Sequence, residues 1–197
     1  RSGHSFPTRR SSDLFIDRVN AANNLAWLED IAATNPCGEQ PLPPYGACLL
    51  GSINLSRFVE APFTENARLN LDAMRDCVST AIRMLDNVID ASNFPLRKQQ
   101  EEALDKRRLG LGITGLADAL IMCGLRYGSE QAVAEADCWL SALTNSAYRT
   151  SALLAKEKGA FPLYDAEQFL RAPMIQTLDD DVRDLIVEHG IRNSHLT

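Results

Sequence analysis

Five stretches of the chain have the apolar spacing or the end signals of α-helices, and two short stretches are apolar enough for strands. In the helical stretches an apolar residue recurs every three or four positions, which gives a helix one face to bury. The predicted helices cover residues 15–31, 71–89, 115–122, 129–159 and 179–189. The predicted strands cover residues 48–55, read as mostly buried, and 108–114. Because strands alternate with helices, the pattern predicts an α/β or β/α-barrel architecture and not a helical bundle.

Capping residues mark the ends of the longest predicted helix. Ser129 can accept a hydrogen bond at its start, and Gly159 can end it. Gly190 ends the last helix in the same way, and Pro95 stops the helix over 71–89. The inward face of the longest helix is predicted to consist of Val133, Ala136, Leu140, Leu143, Ala147 and Leu154.

The composition is that of one globular domain. The chain has 197 residues, of which 45% are hydrophobic and 23% charged, enough for a sizeable core. A net charge of -6 argues against electrostatic binding of a nucleic-acid polymer, but it does not argue against a nucleotide ligand. No apolar run reaches the roughly 20 residues of a membrane span, and no secretion signal is recognisable. The expected location is therefore the cytoplasm, with no membrane partner.

The first 14 residues differ from the rest. They are basic, rich in serine and without apolar periodicity, and residues 4–14 resemble a translated sequencing adapter. We expect residues 1–14 to be a disordered artefact and residues 15–197 to be an internal fragment of a larger domain. The last residues carry no polar tail, so both ends are expected to be cut.

The main candidate for chemistry lies in a proline-rich segment, residues 36–44, which cannot be helical. Asn35, Cys37 and Glu39 alternate there with Pro36 and Gly38. In an extended segment the three alternate side chains point the same way, offering an amide, a thiol and a carboxylate to one ligand. The competing interpretation is that Cys37 is a small buried hydrophobic residue in a turn.

The other four cysteines offer weaker candidates. Cys48 lies eleven residues after Cys37, too far for a CxxC pair, although a folded loop can bring them together. Cys77, Cys123 and Cys138 fall on predicted helices and are expected to be core residues. Structural disulfides are not expected in the cytoplasm, whereas a transient catalytic disulfide stays open.

Two further patterns carry little functional weight. Residues 110–115 match G-x-G-x-x-G, but the charged residues 105–108 stand where a dinucleotide fingerprint has an apolar strand. These glycines are expected instead to let a strand pack tightly and turn into a helix. His189 and His195 have no further ligand at metal-site spacing, so no metal site is predicted.

A family resemblance adds to these observations. Residues 35–55 read NPCGEQPLPPYGACLLGSINL and closely resemble the catalytic region of class II, adenosylcobalamin-dependent ribonucleotide reductases. Residues 15–36, 83–92, 107–127 and 189–194 also look like that family. The short spacer before the second cysteine fits class II better than the iron-dependent large subunits.

The resemblance implies a fold and a set of roles. The fold would be a partial ten-stranded α/β barrel of the ribonucleotide reductase type, with Cys37 on a central catalytic finger loop. Cys37 would carry a thiyl radical that takes the ribose 3'-hydrogen, Glu39 would take the 3'-hydroxyl proton and Asn35 would hydrogen-bond the ribose hydroxyls. Cys48 would be one of two reducing thiols. The residues expected to bind substrate are Asn35, Pro36, Cys37, Gly38 and Glu39.

The resemblance also implies partners that lie beyond this chain. They are adenosylcobalamin (vitamin B12, cobalt), a ribonucleotide substrate, a thioredoxin- or glutaredoxin-type reductant, a nucleotide effector and a second copy in a homodimer. The second reducing thiol and a phosphate-binding loop are expected outside residues 1–197. We therefore expect this polypeptide to be inactive alone and unstable as an open barrel.

Two alternatives stay open at this point. One is the large subunit of an iron-dependent class I reductase, which needs a separate radical-generating subunit. The other is a non-catalytic nucleotide-binding or dimerisation module on the same barrel.

Overall fold

The computed structural model describes residues 14–196. Residues 1–13, nearly all of the segment predicted to be an artefact, lie outside this part. The helices are α1 (Ile16–Ala21), α2 (Leu71–Ala91), α3 (Arg97–Lys106), α4 (Leu116–Met122), α5 (Glu130–Lys158), α6 (Ala166–Leu170), α7 (Pro173–Gln176) and α8 (Asp180–His189). The strands are β1 (Ala33–Thr34), β2 (Pro41–Leu42), β3 (Leu49–Asn54), β4 (Val59–Glu60), β5 (Arg68–Leu69) and β6 (Leu109–Thr114).

The two longest strands, β3 and β6, pair in parallel along their whole lengths. The crossover between them contains α2 and α3, as a parallel connection requires. On the other edge of β6, the backbone N–H groups of Leu109 and Leu111 donate to the carbonyl oxygens of His195 and Leu196, both at 2.9 Å. The described residues therefore line up three neighbouring backbone segments, which do not close into a barrel.

Helix α2 covers one face of the β3–β6 pair. Leu85 fills the space above Gly51, where a Cβ would lie 3.4 Å from a Leu85 methyl group and 3.6 Å from one of Leu111. Helix α5 packs against α2, and α8 packs against α5. The buried apolar residues of α2 recur every three or four positions, as expected for the helix predicted over 71–89: Met74, Val78, Ile82, Leu85 and Ile89.

The structure confirms the main predicted elements. The Oγ of Ser129 accepts a hydrogen bond from the backbone N–H of Ala132 at the start of α5. Gly159 and Gly190 follow α5 and α8 with φ of 86° and 73°. Both strands and the helix over 115–122 lie within one or two residues of their predicted bounds. Among residues 14–196, no helix has the length and apolar character needed to cross a bilayer.

Three local predictions are wrong, and one helix was missed. The helix predicted over 15–31 ends at Ala21 and continues as turns. Helix α3 was not predicted, because its highly polar sequence lacks an apolar face. Strand β3 is buried only at Ile53, since the part of the chain that the structure describes covers only one of its faces. Val133 is 61% exposed, because the residue of this turn that faces the core is Ala132, which is 1% exposed.

A buried polar network ties the end of the chain to the helices. Asn193 donates its side-chain amide to the Asp86 carboxylate at 3.0 Å and to the Arg107 carbonyl oxygen at 3.1 Å. It accepts a hydrogen bond from the Ser151 hydroxyl at 2.9 Å. These contacts join α2, α5 and the end of α3, and they direct the segment that follows Asn193 along the edge of β6.

Candidate active site

The proline-rich segment forms a β-hairpin whose tip carries Cys37. Strands β1 and β2 pair antiparallel. Beyond this pair the backbone N–H of Asn35 donates to the carbonyl oxygen of Gln40 at 3.1 Å. Inside the tip, the N–H of Gly38 donates to the Asn35 carbonyl oxygen at 3.0 Å. The four residues 35–38 therefore form a β-turn, with Pro36 and Gly38 at positions that such turns favour.

The side chain of Asn35 closes the hairpin. Its Oδ1 accepts hydrogen bonds from the backbone N–H groups of Gly38 and Gln40, both at 3.1 Å. Gly38 has φ of +84°, a conformation that glycine adopts without strain. Among residues 14–196 the Nδ2 of Asn35 has no hydrogen-bond partner, so this donor is the part of Asn35 that can meet a ligand.

Cys37 and Glu39 are exposed at the tip. The prediction that Asn35, Cys37 and Glu39 point the same way in an extended segment is wrong, because the tip is a turn. The competing interpretation of Cys37 as a buried hydrophobic residue is also wrong, since its thiol is exposed. The structure therefore presents a thiol and a carboxylate to the surroundings on a hairpin held by Asn35.

The hairpin lies against β6 at Gly110. A Cβ added at this glycine would lie 2.8 Å from the Gln40 Oε1, 3.4 Å from the Cys48 Sγ and 2.5 Å from a methyl group of Leu50. The absence of a side chain at Gly110 is what lets the hairpin and the start of β3 approach the same point. The hairpin that carries Cys37 and the thiol of Cys48 therefore both approach Gly110, although Cys37 and Cys48 are eleven residues apart in sequence.

Cys48 lies beside Gly110 and lines a small cavity. Its half-buried thiol shares this cavity of about 30 Å³ with the apolar residues Ala47, Leu49, Ile89, Phe94 and Ala103 and one charged residue, Arg108. The thiol contacts the Leu49 carbonyl oxygen at 3.7 Å. Burial raises the pKa of Cys48 to about 12, although the positive charge of Arg108 acts in the opposite direction.

Comparison with known families settles what kind of domain holds this site. The family described as "Ribonucleotide reductase, barrel domain" matches residues 10–197. The chain belongs to that family. The match spans every strand and every helix described above, so the hairpin with Cys37 is part of a reductase barrel domain.

Individual relatives are similar over most of this barrel domain. The chain is 40% identical to a vitamin B12-dependent ribonucleoside-diphosphate reductase of Thermoplasma acidophilum over 151 residues, which cover 77% of the chain and 19% of the relative. It is 40% identical to the Mycobacterium tuberculosis protein of the same name over 159 residues, 81% of the chain and 22% of the relative. A Chlamydia muridarum ribonucleoside-diphosphate reductase subunit alpha is 32% identical over 171 residues, 76% of the chain and 16% of the relative. The chain thus spans about a fifth of the length of these relatives.

The G-x-G-x-x-G match of this barrel domain has a packing role. Gly110 makes room for the hairpin, and Gly115 joins β6 to α4 with φ of +68°. A Cβ at Gly115 would collide with the side chain of Asn54. The expectation that these glycines serve strand packing and a turn into a helix is confirmed.

The five cysteines are all free thiols. Cys77 and Cys123 pack against the core, as predicted. The prediction of a core position is wrong for Cys138, which is exposed on α5. Within residues 14–196, no three His, Cys, Asp or Glu side chains are grouped so as to hold a metal ion.

A cluster of buried charges behind Cys48 was not foreseen from the sequence. Glu29 binds the guanidinium of Arg108 and lies 2.6 Å from the Nζ of Lys106. Asn23 donates to Glu29 at 3.3 Å and accepts from the Nε2 of His195 at 2.9 Å. The run of basic residues 106–108 next to a predicted strand was the one signal in the sequence that could have drawn attention to this cluster.

The hydrogen bonds of His195 define its tautomer. Asn23 Oδ1 is an acceptor, so the Nε2 of His195 must carry the proton and its Nδ1 accepts from the Ser194 hydroxyl at 3.0 Å. Burial lowers the pKa of His195 well below its ordinary value, and the charges of Arg108 and Lys106 act in the same direction. His195 is therefore neutral at pH 7.

Proposed function

We propose that this chain carries the catalytic finger loop of a vitamin B12-dependent ribonucleoside-diphosphate reductase. One observation carries the proposal: an exposed thiol, Cys37, stands on a hairpin that lies against the strand start holding a second thiol, Cys48. A reductase needs such a pair of functions, one thiol that exchanges a hydrogen atom and another that gives up electrons. The names of the relatives from Thermoplasma acidophilum and Mycobacterium tuberculosis support the choice of class.

The proposed reaction assigns a role to each residue of the site. The thiyl form of Cys37 takes the hydrogen atom from the ribose 3'-carbon, which becomes the radical centre while Cys37 returns to a thiol. Glu39 accepts the proton of the 3'-hydroxyl. The Nδ2 of Asn35 donates to the ribose hydroxyls, and the exposed backbone of Pro36 and Gly38 lines the substrate.

Reduction at the 2'-carbon needs two thiols. Cys48 and a second cysteine supplied outside residues 14–196 become a disulfide, while the 2'-hydroxyl leaves as water and a hydrogen takes its place. The Cys37 thiol gives its hydrogen back to the 3'-carbon, so this residue ends the cycle unchanged. A thioredoxin- or glutaredoxin-type protein then reduces the disulfide.

The cofactor that this proposal implies, adenosylcobalamin, needs open space beside Cys37. The tip of the hairpin has that space, since Cys37 is exposed and a methyl group placed on Gly38 would meet no atom within 4 Å. Pro36, Cys37 and Gly38 are the residues of this chain that would meet the cofactor. When bound, it supplies the unpaired electron through cleavage of its cobalt–carbon bond.

The larger assembly is part of the proposal. We infer a ten-stranded α/β barrel in which further strands pair with the free edge of β3 and cover its exposed face. By its membership of the family, we also propose that the whole protein binds a nucleotide effector, forms a homodimer and is located in the cytoplasm. Residues 15–197 would form part of the catalytic barrel, inactive without the remainder.

A chimera tests the proposal. Residues 15–197 replace their counterpart in the Mycobacterium tuberculosis relative, and conversion of a ribonucleoside diphosphate is measured with adenosylcobalamin and a dithiol. We expect deoxyribonucleotide product and a cobalt-coupled radical signal in the wild-type chimera. Cys37→Ser should abolish product, whereas Cys77→Ser, on α2, should keep it. Product from Cys37→Ser would overturn the assignment of Cys37.

The same assay separates the alternatives. A class I large subunit would ignore adenosylcobalamin and form product only with an iron-containing partner subunit. A non-catalytic module would give a folded chimera that binds nucleotide and forms no product under either condition. The 32% identity to a reductase subunit alpha is lower than the 40% to the vitamin B12-dependent enzymes, so we favour the cobalamin-dependent reaction.

A further inference from the structure

Cys48 and Arg108 are neighbours across the β3–β6 pair. Leu49 lies opposite Leu109 in the parallel register, and Cys48 and Arg108 are the residues that directly precede these two. Their side chains line the same small cavity. Arg108 is 4% exposed, so its charge is held inside the protein and little screened by water.

The other charged side chains near Cys48 do not line the cavity. Among the residues that line the cavity, Arg108 alone carries a charge. Behind it lie Glu29, from the turns after α1, and Lys106, at the end of α3. His195, from the end of the chain, is neutral and hydrogen-bonded to Asn23. From the hairpin, the uncharged side chain of Gln40 approaches Gly110 beside the sulfur.

We propose that Arg108 is a positioning residue for Cys48. The guanidinium of Arg108, anchored by Glu29, stabilises the thiolate form of Cys48 inside the cavity. A thiol reacts in disulfide exchange as its thiolate. In an apolar cavity the thiolate has no other positive partner among the described residues. Arg108 therefore determines how readily Cys48 gives up its proton. The negative charge of Glu29 offsets part of the positive charge of Arg108 and so limits this effect.

The functional role of the Arg108–Cys48 interaction rests on the proposed function, but the interaction itself does not. If Cys48 is a reducing thiol, its re-reduction and its oxidation both depend on thiolate availability. If the chimera assay gives no product, the coupling between Arg108 and Cys48 can still be measured in this chain. The two failures are therefore distinguishable.

The test measures alkylation of Cys48 by iodoacetamide between pH 7 and 9.5, followed by mass spectrometry of the Cys48 peptide. Alkylation of the exposed Cys138 in the same digest normalises the rates. Arg108→Met should slow the labelling of Cys48 by about tenfold, the effect of a shift of one unit in pKa. Arg108→Lys should restore most of the rate because it keeps the charge. Arg57→Met, which removes an exposed arginine away from the cavity, should leave the rate unchanged.

The direction of the change in labelling rate distinguishes an effect of the Arg108 charge from an effect of reagent access to Cys48. Truncation of Arg108 opens the cavity, so an effect of access alone would speed the labelling of Cys48. Glu29→Gln keeps the shape of the anchor and removes its charge, so it should speed labelling several-fold. Unchanged or faster labelling in a folded Arg108→Met protein would overturn the proposal. If that variant fails to fold by circular dichroism, unchanged or slower labelling in Glu29→Gln overturns it instead.

Discussion

Arg107 and Asp86 form a buried ion pair in which the guanidinium Nη2 lies 2.8 Å from a carboxylate oxygen, and their side chains are 3% and 0% exposed. Burial opposes the charged carboxylate, but the Arg107 guanidinium and hydrogen bonds from Arg107, Lys158 and Asn193 outweigh it and lower the pKa of Asp86. Arg107 has φ of +50°, an uncommon left-handed conformation at the end of α3. The ion pair thus holds the chain in the turn that leads from α3 into β6.

Asp86→Asn should destabilise the chain strongly. The substitution leaves the buried guanidinium of Arg107 without its main counter-charge, which costs about 3–5 kcal/mol. Urea unfolding followed by circular dichroism measures the free energy. Asp90→Asn is the matched control, because Asp90 also binds Arg107 but is 50% exposed, and should cost less than about 1 kcal/mol. Equal losses in the two variants would contradict this account.

Stability should fall as the pH drops below about 6.5, because His195 is buried in its neutral form. The pKa of His195 is lowered in the folded chain, so between that value and about 6.5 the unfolded chain binds the extra proton. The contribution of His195 to the free energy of unfolding is complete above the pKa of the unfolded chain. It is lost as the pH falls, by up to about 1.4 kcal/mol per pH unit.

His195→Gln isolates this contribution. The glutamine amide can still donate to Asn23, but it does not titrate. The difference in unfolding free energy between wild type and variant should be constant from pH 7.5 to 8.5 and shrink or reverse towards pH 5. A difference that stays constant down to pH 5 would contradict a neutral buried His195.

Gly110→Ala should displace the hairpin. The added methyl group would meet Leu50 at 2.5 Å and the Gln40 side chain at 2.8 Å, so the cost is about 1–3 kcal/mol. Gly112→Ala is the control, since its methyl group would meet nothing closer than 3.7 Å, and stability should stay the same or rise by up to about 1 kcal/mol. Urea unfolding compares the two, and a smaller loss at Gly110 than at Gly112 would count against the hairpin contact.

Substitutions of Asn35 separate its role in the hairpin from its proposed role with substrate. Asn35→Ala removes the Oδ1 that holds the N–H groups of Gly38 and Gln40, so hydrogen exchange at these amides should speed by about fivefold to tenfold. Asn35→Asp keeps an acceptor and should keep their protection while losing the Nδ2 donor. In the chimera both variants should lose activity. Full activity of Asn35→Asp would exclude Nδ2 as a substrate donor.

The local elements of the fold were largely predictable from the sequence. The spacing of Met74, Val78, Ile82 and Ile89 determined which face of α2 is buried, because a helix repeats every 3.6 residues whatever it packs against. Ser129 bounded α5 through its side-chain hydroxyl and Gly159 through its backbone freedom, both of which are local properties. The residues 35–39 and Cys48 stood out by their types and spacing, and their family resemblance pointed to the reductases that the comparison then identified.

The relationships between these elements depended on the tertiary structure. The approach of Gln40 to Gly110 depends on the packing of the hairpin against β6, and the proximity of Cys48 and Arg108 depends on the parallel pairing of β3 with β6; no local pattern specifies either. The burial of Asp86 and His195 likewise depends on partners up to 172 residues away in sequence. Residue types determined which groups could carry chemistry, whereas only packing decided which of them are exposed, charged and paired, because desolvation and ion pairing act through space.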